Sequence, residues 1–356
     1  MNEYIAFDSH KRYTLAEREN ASTGEVRQCR IEHRPGAIRE YLRDCQAGTA
    51  VAVEALGSWY WIVEEIEQAG LRPKLVHPRK AKLMMGMINK TDKLDVHGLN
   101  RLQRNGTLPT VWIAPGPLRD LRELTRTRMV LSQQRARLKN RLSSALAKYG
   151  LAVEGWSDPY CPGARATLKE LLARLPEQTG WTGRMLLEQL DFVQGQIESH
   201  EQRLAGLVEE TPGMRLQRTV PGFGPILSPV VVLEMGDVRR FPDAQHFASY
   251  AGTTPRVHSS GGKTRYGKLR PDVNRYLKWA FVEAGNVAAR HHLSRPDRHV
   301  SRLYARLKPR KGGAKAVGAV ARHLAEATYY VQMGRVPYRD PALSRVRKEG
   351  LSATMP

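Results

Sequence analysis

Cysteine is scarce and unpatterned in this chain of 356 residues: Cys29, Cys45 and Cys161 show no Cys-x-x-Cys spacing and no paired arrangement. That pattern points away from a disulfide framework and from a zinc finger, and a reducing cytosol is the expected setting. Long apolar runs are missing too. The first residues, Met1 to Tyr13, hold no apolar segment of the signal-peptide kind, and no stretch approaches the roughly 18 apolar residues of a membrane span. There is no solenoid-period repeat, no low-complexity tract and no helix-turn-helix signature, so no evident module reads bases. Acidic residues are in deficit. Asp+Glu number 35 against 57 Lys+Arg, a formal net charge of +22 with a pI near 10.2. A field of that sign attracts polyanions, of which nucleic acid is the commonest in a cytosol. Residues 251–356 hold 22 Lys+Arg against 6 Asp+Glu, a net of +16, which leaves only +6 for the first 250.

What is present divides into three patterns. Residues 1–115 read as α/β. Short β runs fall at Tyr4–Phe7, around Tyr13–Leu15 and near Val26–Ile31. A helix follows from Pro35 to Cys45, then a buried strand Thr49–Val53, a helix Trp59–Gln68 and a strand Leu75–His77. Three early strands followed by alternating helices and strands give the order of a ribonuclease H-like mixed sheet, with a doubly wound sheet as the alternative. Residues 116–210 change to long helices. Leu124, Leu131, Leu138 and Ala145 recur every seven residues. Leu186, Leu190, Val193, Ile197, His200, Leu204 and Leu207 step 4-3-4-3-4-3, which predicts a coiled coil or dimerising bundle with residues 150–163 as its tip. Residues 211–340 read as mostly helical, with a glycine-rich loop around Ser259 and Ser260 and a basic glycine loop at Lys308–Lys315, followed by a basic tail at 341–356.

Four carboxylates stand at positions suited to metal chemistry. Asp8 follows the first β run and Glu54 follows the buried strand, so both fall at strand carboxyl ends. Asp92 and Asp95 share one helix face at i, i+3 spacing. Converging without a counter-ion, such a set would repel itself and raise its own pKa values. Mg²⁺ or Mn²⁺ would relieve that repulsion and serve phosphodiester chemistry.

This ordered set, strand-Asp, strand-Glu and helix-Asp-x-x-Asp, resembles the RuvC-like DEDD domain of the transposases of insertion-sequence family 110, a group that includes the Piv-like DNA invertases. The segment Tyr250-Ala251-Gly252-Thr253-Thr254-Pro255-Arg256, with Ser260-Gly261 after it, is similar to the family's second signature. The resemblance spans nearly the whole chain. It implies an N-terminal RuvC-like domain, a coiled-coil middle and a C-terminal transposase domain. It further implies metal ligation by Asp8, Glu54, Asp92 and Asp95 and a serine nucleophile at Ser260, with adjacent Ser259 as the alternative. A serine attacking a phosphodiester conserves the bond as a phosphoserine, so strands can be exchanged without external energy. Activation of that serine by the metals would require the two domains to meet, within one chain or across protomers.

Contacts to the nucleic-acid backbone are expected from Arg256, Lys263, Arg265 and Lys268 around the serine, and from Lys308, Arg310, Lys311 and Lys315. Gly222 and Gly224, in the turn Val220–Pro225, have the look of a helix-hairpin-helix, where small residues admit a phosphate. The resemblance also implies donor and target DNA as substrates, a bridge RNA whose loops pair with both, and dimers assembling into a tetramer. The expected setting is the bacterial cytoplasm at the nucleoid. Two rivals remain at this point: a RuvC-like nuclease or junction resolvase in which water attacks, and a non-catalytic DNA-binding protein.

Overall fold

The early runs of β-branched and aromatic residues form β1 (Glu3–Ser9), β2 (Tyr13–Asn20) and β3 (Val26–Glu32), an antiparallel meander. There follow α1 (Ala37–Leu42), β4 (Ala50–Glu54), α2 (Trp59–Gln68), β5 (Arg72–Val76), α3 (Pro78–Met85) and α4 (Asp92–Arg104). Helix α1 starts later than Pro35 because Gly36 sits at φ +84°, a left-handed conformation outside any helix. Strand β4 runs parallel to β1 and β5 parallel to β4, giving the order β3-β2-β1-β4-β5. The meander on one side and parallel strands on the other make this a ribonuclease H-like mixed sheet and rule out the doubly wound alternative. In this computed structural model, residues 3–86, 92–269 and 273–341 are described. They divide into two units, Met1–Ala114 and Pro115–Pro356.

Side-chain alternation in the first unit sorts the two faces of the sheet. Ile5 and Phe7 of β1 and Val51 and Val53 of β4 face α1 and α2, packing with Ile38, Leu42, Ile62 and Ile66. Ala6 and Ala52 point the other way, and their small size admits α4, whose Val96, Leu99 and Leu102 fill that layer. Charge fixes α4 in place as well. Glu17 of β2 is fully buried and accepts hydrogen bonds from Asn100 Nδ2 (3.1 Å) and Gln28 Nε2 (2.8 Å), with His97 Nδ1 3.1 Å away. Removing a buried, fully bonded carboxylate strands its partners. Glu17→Ala is therefore expected to loosen α4 by about 3 kcal/mol, read as roughly hundredfold faster hydrogen exchange of the α4 amides. Unchanged exchange would show that apolar packing alone seats the helix.

The second unit begins with α5 (Gly116–Ala147), α6 (Arg165–Ala173) and α7 (Glu177–Glu210). Helices α5 and α7 run antiparallel. Leu142 and Leu146 cluster with Leu187 and Leu190, and Leu131 with Val193 and Ile197 further along, while Arg128 pairs with Glu201 at 2.5 Å. The basic residues of α5 do not form one outer face. Arg119 and Arg122 are buried, and Arg122 donates to the carbonyls of Leu233 and Glu234. Arg126 grips the buried Glu234 carboxylate at 2.7 and 3.1 Å, and Asn274 donates to it at 2.8 Å. These arginines anchor α5 inside the unit. Arg137, Arg141 and Lys148 instead line an open groove shared with Gln178 and Thr182 of α7.

The remainder comprises α8 (Pro212–Gln217), α9 (Leu227–Met235), α10 (Ala244–Tyr250), β6 (Pro255–Ser260), β7 (Lys263–Leu269), α11 (Arg275–Arg290), α12 (His299–Lys311) and α13 (Gly313–Gly334). Phe223, Phe247 and Phe281 sit among alanines and leucines in its core. Two expected loops are corrected. The glycine-rich segment at Ser260 is an antiparallel hairpin, β6–β7, turned by Gly261 and Gly262 at φ +56° and +74°. Two successive left-handed residues are what a tight hairpin turn requires, and glycine supplies them without strain. The segment at Lys308–Lys311 is the last turn of α12, with Pro309 inside it and Gly312 at φ +80° ending the helix, and Lys315 opens α13. No described helix is long and apolar enough to cross a membrane. From residue 342 on, the basic tail lies outside the described residues.

Candidate active site

The side of the sheet that receives α4 also receives the acidic residues. Asp8 follows Ala6 by two residues on β1, and Glu54 follows Ala52 by two on β4. The register pairs Ala6 with Ala52, so both carboxylates emerge on the α4 face. Asp92 and Asp95 stand in the first turn of α4, one turn before the residues that pack onto the sheet. All four line one cavity of about 450 Å³ together with His10, Leu99 and, from α3, Arg79 and Lys82.

Burial and like charge act together on Asp8, which is 4% exposed. Desolvation is the main cause that raises its pKa above the ordinary carboxylate value; Asp95 and Asp92 add to the rise, while His10 and a hydrogen bond with Glu54 oppose it. A hydrogen bond between two carboxyl groups requires a proton on one of them, and a shared cation can take that proton's place. A set of hard oxygen donors facing one cavity is what Mg²⁺ or Mn²⁺ takes, so these residues fit a divalent ion. Asp8, His10 and Asp92 each offer a donor atom within 4.8 Å of the others.

Sequence reasoning did not single out His10 or Tyr13. His10 lies just past β1 in the turn to β2, and its Nε2 comes within 3.4 Å of Asp8 Oδ2 and 3.2 Å of Asp92 Oδ2. Tyr13, at the start of β2, donates its hydroxyl to Asp92 Oδ2 at 3.0 Å, a bond that raises the tyrosine's pKa. The available signal was proximity: both residues flank a two-residue turn directly after Asp8.

In the second unit, strand alternation separates the two serines. Ser260 pairs with Lys263 and His258 with Arg265, and side chains directly opposite or two apart share a face. Ser260 therefore lies with His258, Lys263 and Arg265, whereas Ser259 lies with Thr264, Val257 and Tyr266. The whole hairpin tip is exposed. A register shift at Arg256 breaks this alternation toward the base, where Lys268 stands. Lys308, Arg310, Lys311 and Lys315 are exposed as well. Gly222 has φ +87°, and a Cβ there would lie 2.5 Å from the carbonyl oxygen of Ala284, so internal packing already demands glycine. Gly224 is open and lines a cavity with His291, Arg295 and Arg298.

The comparisons fall on these same features. A DEDD transposase model of the IS110 group, described as transposase, matches residues 5–150 and so takes in all four carboxylates. A second, described as the transposase IS116/IS110/IS902 family, matches residues 214–301 and takes in the hairpin. A probable family 20 transposase of Pseudomonas aeruginosa is 25% identical over 81% of this chain and 85% of its own length. The transposase for insertion sequence element IS1328 of Yersinia enterocolitica is 22% identical over 70% of this chain and 73% of its own. The pilin gene-inverting protein of Moraxella bovis is 46% identical over a short stretch, 13% of this chain and 14% of its own. With a RuvC-like sheet gathering the four acidic residues and both family models matched in order, the chain belongs to the DEDD transposases of the IS110 family and is a DNA transposase.

Proposed function

We propose that this transposase cuts and rejoins donor and target DNA with Ser260 as nucleophile, guided by a bridge RNA and working as dimers paired into a tetramer. The observation that carries the serine assignment is the hairpin register, which gives Ser260 a face shared with His258, Lys263 and Arg265. A phosphodiester approaching that face meets cations that offset its charge as the serine oxygen attacks. The Ser260 Oγ–phosphorus bond forms as the strand's bridging oxygen leaves with its electron pair and takes up a proton. A hydroxyl of the partner strand then attacks the same phosphorus and returns the serine. At the acidic centre, Asp8, Glu54, Asp92 and Asp95 would hold Mg²⁺ or Mn²⁺, which supplies charge stabilisation for phosphoryl transfer.

The cationic elements of the second unit suit nucleic-acid backbones: the hairpin, the exposed Lys308, Arg310, Lys311 and Lys315, the cavity beside Gly222 and Gly224, and the α5–α7 groove. The surplus of positive charge and the lack of a base-reading module support delegation of target choice to a paired RNA, in the cytoplasm at the nucleoid. The test is a trap. Protein incubated with RNA, divalent ion and labelled DNA is quenched in denaturant. A covalent adduct should appear, and mass spectrometry should place it on the peptide that holds Ser260. Cleaved DNA without any adduct would instead mean attack by water.

A further inference from the structure

The acidic centre contains one residue that a purely oxygen-coordinated site does not need. We infer that His10 is a nitrogen donor to the metal held by Asp8 and Asp92, which makes the site selective for first-row transition ions over Mg²⁺. This rests on the metal-dependent reading above and adds a donor to it.

Three observations carry it. First, spacing: an octahedral ion with donors at about 2.1 Å places neighbouring donor atoms about 3 Å apart. His10 Nε2 lies 3.4 Å from Asp8 Oδ2 and 3.2 Å from Asp92 Oδ2, near the length of such an edge. Second, the nitrogen is shielded from solvent and has no hydrogen-bond partner among the described residues, although two carboxylates flank it. An imidazole placed for charge pairing would direct an N–H at one of them; a shared cation satisfies all three atoms at once. Third, the ring is held in place. It stacks on Tyr13 with centroids 4.6 Å apart, and Arg30 covers that tyrosine at 3.8 Å. The tyrosine hydroxyl is bonded to Asp92 Oδ2, the same oxygen that His10 faces. Buttressing of this kind orients a ligand.

Imidazole nitrogen strengthens binding of the transition ions more than of Mg²⁺, a hard ion that prefers oxygen. The probe is Mn²⁺ alone, added to the full-length protein. Electron spin echo spectra of the bound ion should show nitrogen modulation, which should switch from the ¹⁴N to the ¹⁵N pattern when the histidines are labelled with ¹⁵N. That measurement needs no substitution. In His10→Ala the modulation should vanish and Mn²⁺ affinity should fall by about tenfold or more, with Mg²⁺ affinity changing less. Mn²⁺ that binds the wild type and is lost in Asp8→Asn, yet shows no nitrogen modulation, overturns the role of His10 alone. So does modulation that persists in His10→Ala. A wild-type protein that binds no Mn²⁺ overturns this inference together with the metal-dependent reading.

Discussion

Ser260→Ala is expected to eliminate the denaturant-stable protein–DNA adduct and to lower strand transfer by about 10⁴-fold or more, the scale seen when a nucleophile is deleted from an otherwise intact site. Ser259→Ala is the decisive companion. The two serines are neighbours in sequence, so composition and local flexibility treat them alike. On a strand they point to opposite faces, and only Ser260 shares a face with His258, Lys263 and Arg265. Ser259→Ala should keep adduct formation within about tenfold of the wild type, since it leaves Ser260, the proposed nucleophile, in place. Both substitutions lie at an exposed hairpin tip, where the loss of one hydroxyl has little effect on folding. An adduct that survives in Ser260→Ala, or disappears only in Ser259→Ala, would move the nucleophile. Strand cleavage at the normal rate in both variants would transfer the attack to water.

Asp8→Asn is expected to lower strand cleavage by about 10³-fold, because on the proposed reading several kcal/mol of charge stabilisation depend on an ion that this carboxylate would help to hold. The same substitution should raise the thermal stability of the metal-free protein. Asp8 is buried beside three other carboxyl groups, and its pKa in the folded state lies above the ordinary value of 3.8. A carboxyl with a raised folded pKa favours folding most at low pH. Its contribution declines as pH rises from the unfolded value through the folded one. Asparagine stays neutral throughout. The metal-free variant should therefore melt above the wild type near pH 7, with the gap closing toward pH 4. Adding Mn²⁺ should reverse the order, since the ion stabilises only the protein that binds it. A metal-free variant less stable than the wild type at neutral pH would mean that the Asp8 charge is already compensated within the fold.

The acidic set was legible early because each member sits at a position that local rules expose. Asp8 and Glu54 end strands whose apolar runs are plain, and Asp92 and Asp95 are one helical step apart. The order of those runs admitted a mixed or a doubly wound sheet, and strand pairing decided for the mixed one. Partners reached through a turn or across the chain were not legible. His10 and Tyr13 gain their meaning from the β1–β2 turn, which folds them onto Asp92, 79 residues beyond Tyr13 in sequence. The arginines of α5 showed the same limit: no local pattern ties Arg122 and Arg126 to Glu234, more than a hundred residues away, on which both close. Gly222 had a local rationale, and Ala284, brought against it by α11, supplies a different one.

By itself the sequence determined the charge that draws nucleic acid, the succession of an α/β part and a helical part, and the residue types able to bind a metal or attack a phosphate. These depend on composition, period and short spacing, which neighbouring residues settle among themselves. The tertiary structure decided which strands adjoin, which face each carboxylate takes, which cations are spent on internal partners, and that the serine stands on a hairpin. Those outcomes turn on side chains far apart in the chain competing to be buried together, and only the closed fold resolves that competition.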